Sequence, residues 1–77
     1  MTTLIQSISQ TLIKYRQLAK LSQEELADCA NIHRTYVSQI ERGLKMPTLA
    51  ILFKISKALK QKPSELIQEI ERQYDEL

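Results

Sequence analysis

Residues 33–43 read HRTYVSQIERG and carry the most chemically suggestive side chains of the chain. Only Val37 and Ile40 are aliphatic; most of the other side chains donate or accept hydrogen bonds. Arginine can donate two hydrogen bonds to guanine, glutamine can pair with adenine, and a threonine methyl group can contact that of thymine. A helix formed by this stretch would bury little of its own surface, which suits it to a polar partner.

The arrangement of these side chains on a helix separates them into two sides. At about 100° per residue, Val37 and Ile40 lie on one side together with Glu41. The opposite side carries Thr35, Ser38, Gln39 and Arg42, with Arg34 on its flank. We interpret this outer side as a surface that reads base edges in a major groove. The alternative is an ordinary solvated face, in which an exposed glutamine is equally typical.

The residues before this stretch predict another short helix, joined to the helix of residues 33–43 by a short turn. Ser22 and Glu25 have the spacing of a capping box, which begins a helix. Ala27 is small enough to let the next helix approach closely, and Ile32 can fill the turn at 31–33. Two short helices joined by a turn of this length are the pattern of a helix-turn-helix.

The rest of the chain predicts an all-α fold of five helices in a single domain, 1–77. Helical spacing of apolar residues dominates, and no stretch alternates long enough for a strand. We expect helices over 3–19, after Ser22, over 33–43 ending at Gly43, after Pro47-Thr48, and from Pro63 onward. The residues expected to face inward are Ile5, Ile8, Leu12, Tyr15, Ala19, Leu26, Ala27, Ala30, Val37, Ile40, Leu49, Leu52, Ile55, Leu59, Leu66, Ile67 and Ile70, with Tyr74 and Leu77 as further candidates.

Length and charge narrow the class of protein. A chain of 77 residues supports one domain with a marginal core. Residues 1–60 carry nine Lys/Arg and four Asp/Glu, whereas residues 61–77 carry two and five, which fits a polyanion partner for the body and another partner for the acidic tail. Charge scattered over a solvated surface is the alternative. The absence of an export signal or a long apolar run indicates a cytoplasmic protein with no membrane contact.

Few residues here could support catalysis or metal binding. Cys29 is the only cysteine and His33 the only histidine, so we expect no disulfide, metal site or cofactor. A redox-sensing role for Cys29 is less favoured, because Asp28 beside it opposes the thiolate. No nucleophile–base pair, paired acids or phosphate-binding loop suggests an enzyme, and no segment remains for sensing a small molecule.

The stretch SQEELADCANIHRTYVSQIERGLKMPTLAILFKISKAL resembles the phage-repressor (lambda-repressor-like) helix-turn-helix family, over about residues 8–66. Within that family, HRTYVSQIERG is most similar to the controller proteins of restriction–modification systems. The resemblance implies that Arg16 pairs with Glu41. It implies base contacts from Arg34, Thr35, Ser38 and Gln39, and contacts to the DNA backbone from Ser22, Gln23, His33, Tyr36, Arg42 and Lys45.

Three positions depart from glycines of the family, namely Lys20, Asn31 and Lys60. Asparagine tolerates a left-handed backbone. A lysine in that conformation costs about 1 kcal/mol relative to glycine. We therefore expect the two lysine-ended helix termini to be either rearranged or strained.

Surplus apolar residues in the C-terminal half predict a symmetric homodimer, with helix five (63–77) contributing to it. The expected interface residues are Ile51, Phe53, Leu66, Ile70, Tyr74 and Leu77. The alternative is that helix five only packs back on its own domain. A dimer would place two recognition helices one turn of DNA apart, as a palindrome requires.

These observations predict a sequence-specific DNA-binding transcription regulator, a homodimer on an inverted-repeat operator. The resemblance favours a restriction–modification controller that regulates its own operon. The alternative is an antitoxin, or another protein-interaction module that reuses the helix-turn-helix fold.

Overall fold

The computed structural model describes residues 2–74, and these form five helices without a strand. The helices are α1 (Leu4–Leu18), α2 (Gln23–Ala30), α3 (Arg34–Glu41), α4 (Leu49–Ala58) and α5 (Pro63–Gln73). The predicted all-α architecture and the order of its elements are confirmed.

Local capping explains where most of the helices begin. The hydroxyls of Thr3, Ser22 and Thr48 accept backbone hydrogen bonds that would otherwise be unsatisfied at the starts of α1, α2 and α4. The predicted capping box of Ser22 and Glu25 is present in both directions. Pro63 occupies the first turn of α5, where its missing N–H costs nothing.

Helix α3 is shorter than predicted. It ends at Glu41, with Arg42 as its C-cap, because Gly43 already has a left-handed backbone with φ 71°. The other left-handed residues are Lys20 (φ 60°), Asn31 (φ 56°) and Lys60 (φ 59°). Both lysines thus keep the conformation that the family fills with glycine, so those helix ends are strained rather than rearranged.

The helices pack around one core. α2 contacts both α3 and α4, α1 contacts α3 and α5, and α4 contacts α5. The side chains at the centre are fully buried and apolar. They are Leu26, Val37, Ile40, Ile55 and Leu66.

Burial corrects several sequence-based expectations. Leu49 and Ile67, expected to face inward, have exposed fractions of 66% and 44%. Leu66 and Ile70, expected both to face inward and to contribute to a dimer interface, are only 1% and 6% exposed, so the inward expectation is confirmed and the interface expectation is wrong. α5 packs through positions 66, 69, 70 and 73, which turns Ile67 outward, and Leu49 lies at the start of α4, before the inward stripe that begins at Leu52.

Two further residues lie elsewhere than expected. Ala19 is exposed because it caps α1 after the last packed turn. Ile51, expected at the dimer interface, is half-buried and packs against the core of its own domain. Leu77, also expected at that interface, lies outside the described residues.

Candidate nucleic-acid interface

The turn that precedes α3 is formed by residues 31–33 and positions the helix start. Asn31 ends α2 in the left-handed region, which the amide side chain tolerates. His33 is the N-cap of α3, and its Nδ1 accepts a hydrogen bond from the backbone N–H of Thr35 at 3.2 Å. Since Nδ1 is an acceptor, the neutral ring carries its proton on Nε2. His33 therefore caps the helix and keeps one exposed N–H donor.

The two sides of α3 are separated as the wheel predicts. Val37 and Ile40 are fully buried, and they hold the helix against the core. The predicted base-contacting residues lie together on the opposite side; Arg34 and Thr35 are exposed, and Ser38 and Gln39 are half-buried. Among residues 2–74, none of these four side chains enters a hydrogen bond or an ion pair.

An ion pair fastens α3 to α1. Arg16 Nε lies 2.6 Å from Glu41 Oε2, and Arg16 Nη2 lies 3.0 Å from Glu41 Oε1. Arg16 Nη1 also donates to the carbonyl oxygen of Leu21 at 2.8 Å, which ties the last part of α1 to the α1–α2 loop just before Ser22. A planar guanidinium with three acceptors is held in one orientation. The acid at position 41 is therefore part of the scaffold of α3.

Gln23, at the start of α2, joins the same network. Its Nε2 donates to Glu41 Oε1 at 3.0 Å, so one amide hydrogen is already used within the protein. The second amide hydrogen has no acceptor among residues 2–74. The hydroxyl of Ser22 accepts the N–H of Glu25, and its own proton is likewise left to donate. Sequence reasoning placed Gln23 at the backbone of DNA but missed its bond to Glu41.

Basic and aromatic side chains lie along α3 and just beyond its C-terminal end. Lys45 Nζ lies 5.0 Å from the centroid of the Tyr36 ring, a cation–π contact that orients the lysine. Arg42 is exposed at the C-cap. The side chains predicted to contact the DNA backbone thus occur at both ends of α2–α3.

Ser9 is a positioning residue that sequence reasoning missed. Its hydroxyl lies 2.7 Å from the carbonyl oxygen of Ile40, so α1 holds the last turn of α3 from a second point. The side chain is polar but buried, since it lies on the inward side of α1 among apolar residues. A serine at such a position is the signal that could have found it.

A charged cluster attaches α5 to α1 on another side of the domain. The carboxylate of Glu69 accepts hydrogen bonds from Arg72, Gln73 and Lys14. These bonds, that from Arg72 first, lower the pKa of Glu69 from 4.5 to about 2. Gln73 also donates to Thr11 at 3.3 Å. The cluster fixes the end of α5 and takes no part in the α3 surface.

Within residues 2–74, no three His, Cys, Asp or Glu side chains are grouped so that they could hold a metal ion. No helix in the same range is long and apolar enough to cross a membrane.

Known proteins match both the sequence and this geometry. Residues 12–66 match the profile of the helix-turn-helix family. The control protein C.BamHI of Bacillus amyloliquefaciens is 45% identical over 58 residues, which are 70% of this chain and 72% of that protein. The control protein C.SmaI of Serratia marcescens is 38% identical over 52 residues, which are 68% of this chain and 62% of that protein.

A solved structure extends the comparison to the fold. The restriction-modification controller protein C.AhdI from Aeromonas hydrophila superposes with a TM-score of 0.76 at 36% identity, over 82% of this chain and 94% of that one. The fold and the α2–α3 surface define a helix-turn-helix protein, and the chain belongs to that family. Within it, the chain belongs with the restriction–modification controller proteins.

Proposed function

We propose that this protein is a transcription regulator that binds a specific DNA sequence through α3. The observation that carries the proposal is the outer side of α3, on which four polar side chains are unengaged while the helix is fixed by Arg16–Glu41 and Ser9–Ile40. Polar groups held rigidly and left unpaired are suited to a partner with a matching pattern of donors and acceptors. The major groove of DNA presents such a pattern.

The contacts divide by chemistry. Arg34, Thr35, Ser38 and Gln39 would contact base edges and specify the sequence. Backbone contacts would fix the register of the protein on the duplex. The residues proposed for them are Ser22, Gln23, His33, Tyr36, Arg42 and Lys45.

We further propose that the protein acts as a symmetric homodimer on an inverted repeat. A groove of about 340 Å³ lies between α1, α4 and α5, and Leu4, Leu49, Ile67 and Tyr74 are among the residues that line it. Leu4, Leu49 and Ile67 are exposed there, and Phe53 follows Leu49 by one turn of α4. We call Leu4, Leu49, Phe53 and Ile67 the apolar face. A second copy that covered this face would bury apolar area from both copies.

The biological role that fits best is control of a restriction–modification operon, by analogy with the control proteins it resembles. Such a regulator would bind the promoter of its own gene, and it would act in the cytoplasm, without catalysis or a small-molecule ligand. Its concentration and its dimerisation would then set its occupancy.

Selection of DNA from a random duplex pool tests the proposal. A two-fold-symmetric site should be enriched. The logarithm of the binding constant for that site should fall linearly with the logarithm of the salt concentration. The site should recur upstream of the protein's own gene and give a footprint there. If no sequence is enriched and binding is weak and steeply salt-dependent, α3 is only a charged surface and the partner is a protein.

A further inference from the structure

Two lysines of α4 lie beside the turn that precedes α3. Lys54 and Lys57, which we call the lysine pair, line a depression of about 410 Å³. The other residues that line it are Cys29, Ala30, Asn31 and Ala58. Asn31 is the first residue of the turn at 31–33, and Arg34 begins α3 three residues later, so their Cα atoms are at most about 11 Å apart. The depression therefore lies next to the N-terminal end of α3.

The depression is lined by cations and by no carboxylate. Residues 42–64, which include the lysine pair, contain six Lys/Arg and no Asp/Glu. Asp28 is the acidic residue in the last turn of α2, but it does not line the depression. Neither lysine of the pair belongs to an ion pair among residues 2–74. An anion from outside the domain would therefore meet two positive charges that no acid of the described residues neutralises.

The lysine pair has an unfavourable arrangement within the free domain. Lys54 and Lys57 are three residues apart on α4, so they lie on the same side of the helix, and both are exposed. Like charges that are neighbours on one helix repel each other and weaken the helix slightly. An anion bound between them would turn this repulsion into two attractions.

DNA is the anion that the position of the depression favours. Each strand of a duplex carries one phosphate per about 3.4 Å of helix axis. About three phosphates of one strand therefore fall within the about 11 Å that separate Arg34 from Asn31. A duplex whose bases contact Arg34 continues past the turn, and its phosphates would pass next to the lysine pair.

We propose that Lys54 and Lys57 contact DNA phosphates that lie beyond the base pair read by Arg34. These phosphates lie on the side away from the bases read by Ser38 and Gln39, because both residues follow Arg34 toward the C-terminal end of α3. The inference rests on the DNA binding proposed above and extends the bound segment of the duplex. Contacts to phosphate position the protein without reading sequence, so the lysine pair adds affinity and leaves the base preference unchanged.

Replacement of single phosphates by neutral methylphosphonates provides the test. The duplex carries the selected site and about one turn of DNA, about 10 bp, on each side. The base position at which Arg34→Ala relaxes the preference fixes the orientation of the protein. In the wild type, neutral phosphates just beyond that position should each weaken binding about threefold, as expected for exposed ion pairs.

Glutamine variants connect these phosphates to the lysines. Lys54→Gln and Lys57→Gln should each weaken binding about threefold, and the double variant about tenfold. The double variant should reduce the salt slope by about 2 and should no longer respond to the neutral phosphates beyond the Arg34 position. Lys60→Gln is the matched control, since it removes one charge from an exposed lysine that does not line the depression. It should retain the full response, and melting curves should show that all variants are folded.

Cys29 offers an independent readout without any substitution. It is exposed, it is the only cysteine of the chain, and it lines the same depression. Iodoacetamide should alkylate it in the free protein and more slowly in the complex with the flanked duplex. A duplex that ends just beyond the base pair read by Arg34 should leave the rate near that of the free protein. Electrostatic attraction at a distance would not shield the thiol in this way.

Loss of the phosphate response in the lysine variants, together with protection of Cys29 by flanking DNA, supports the proposal. Equal effects of Lys54→Gln, Lys57→Gln and Lys60→Gln would attribute the affinity to net charge and overturn it. Wild-type affinity and salt slope in the double variant would also overturn it and leave the lysine pair to solvent or to an acidic protein, while sequence-specific binding through α3 would stand. An alkylation rate that flanking DNA does not change would place the duplex elsewhere and overturn it too. If selection enriches no sequence, the proposed DNA binding itself fails.

Discussion

Glu41 lies on α3 and accepts two hydrogen bonds from the guanidinium of Arg16 on α1, at 2.6 and 3.0 Å. The carboxylate also accepts a hydrogen bond from Gln23 on α2. One side chain thus joins three helices at the C-terminal end of α3. Its burial makes the pair sensitive to loss of either partner.

Glu41→Ala should lower both stability and DNA affinity. Removal of one partner leaves the Arg16 charge uncompensated, at a cost of about 3 kcal/mol in the free energy of unfolding. Denaturant titration measures this change, and the Arg16→Ala and double variants should show strong non-additivity. Glu24→Ala, on the exposed side of α2, is the control and should change stability by less than about 0.5 kcal/mol. Equal stability of wild type and Glu41→Ala would contradict the role of the pair.

Lys20→Gly and Lys60→Gly should each stabilise the protein by about 1 kcal/mol. Both lysines have a left-handed backbone, with φ near 60°, that glycine adopts without steric cost. Lys54→Gly in the middle of α4 is the matched control and should destabilise by about 1 kcal/mol. Thermal and denaturant unfolding measure the three changes. A loss of stability in Lys20→Gly would show that its backbone carries no strain.

Acid should weaken the attachment of α5 to α1. The pKa of Glu69 is lowered to about 2 in the folded state by its hydrogen bonds from Arg72, Gln73 and Lys14, against 4.5 as its ordinary value. The carboxylate thus contributes stability that is complete above about pH 4.5 and is lost as the pH falls toward 2. Glu69→Gln should remove about 1–2 kcal/mol of this pH-dependent stability. The figure is smaller than the pKa shift alone implies, because solvent screens the exposed Lys14 and Arg72. Unfolding curves at several pH values measure this, and the free energy of unfolding should change less with pH in Glu69→Gln than in the wild type. Glu71→Gln is the control at an exposed position.

Arg34→Ala should reduce DNA affinity by about 1–3 kcal/mol and relax the preference at one base position. Arg42→Ala is the comparison, since a contact to phosphate should weaken binding on all sequences alike and reduce the salt slope by about 1. Binding to the selected site and to its single-base variants measures both. If Arg34→Ala weakens binding equally on the selected site and on all its single-base variants, Arg34 contacts phosphate. The proposed base contacts are then limited to Thr35, Ser38 and Gln39.

Leu49→Glu should disrupt the homodimer. A charge in the middle of the apolar face prevents its burial in both copies, so the dimer should weaken by at least about 2 kcal/mol. Leu18→Glu is the control, because Leu18 is equally exposed on α1 but lies outside the apolar face. Sedimentation measures the dimer, and binding to a single half-site should remain. Identical association of the two variants would place the interface elsewhere.

The sequence by itself determined the features that depend on neighbouring residues. Ser22 and Glu25 begin α2, residues 31–33 form the turn, and the spacing of Val37 and Ile40 turns one side of α3 inward. Capping bonds and helical periodicity are local, so they can be predicted without knowledge of the packing. The pairing of Arg16 with Glu41 came from the resemblance to a family, since the two residues are 25 positions apart.

The tertiary structure decided what depends on how the helices meet. Leu66 and Ile70, for which the sequence allowed both the core and the dimer interface, lie in the core. Leu49 and Ile67 lie at the surface, because the rotation of α4 and α5 about their axes is set by their partners. The bonds from Ser9 to Ile40 and from Gln23 to Glu41 arise where separate helices come within hydrogen-bonding distance. The apolar residues of α4 and α5 are numerous enough to cover both a core side and an exposed side. The sequence alone does not show which of the two sides packs against the rest of the domain.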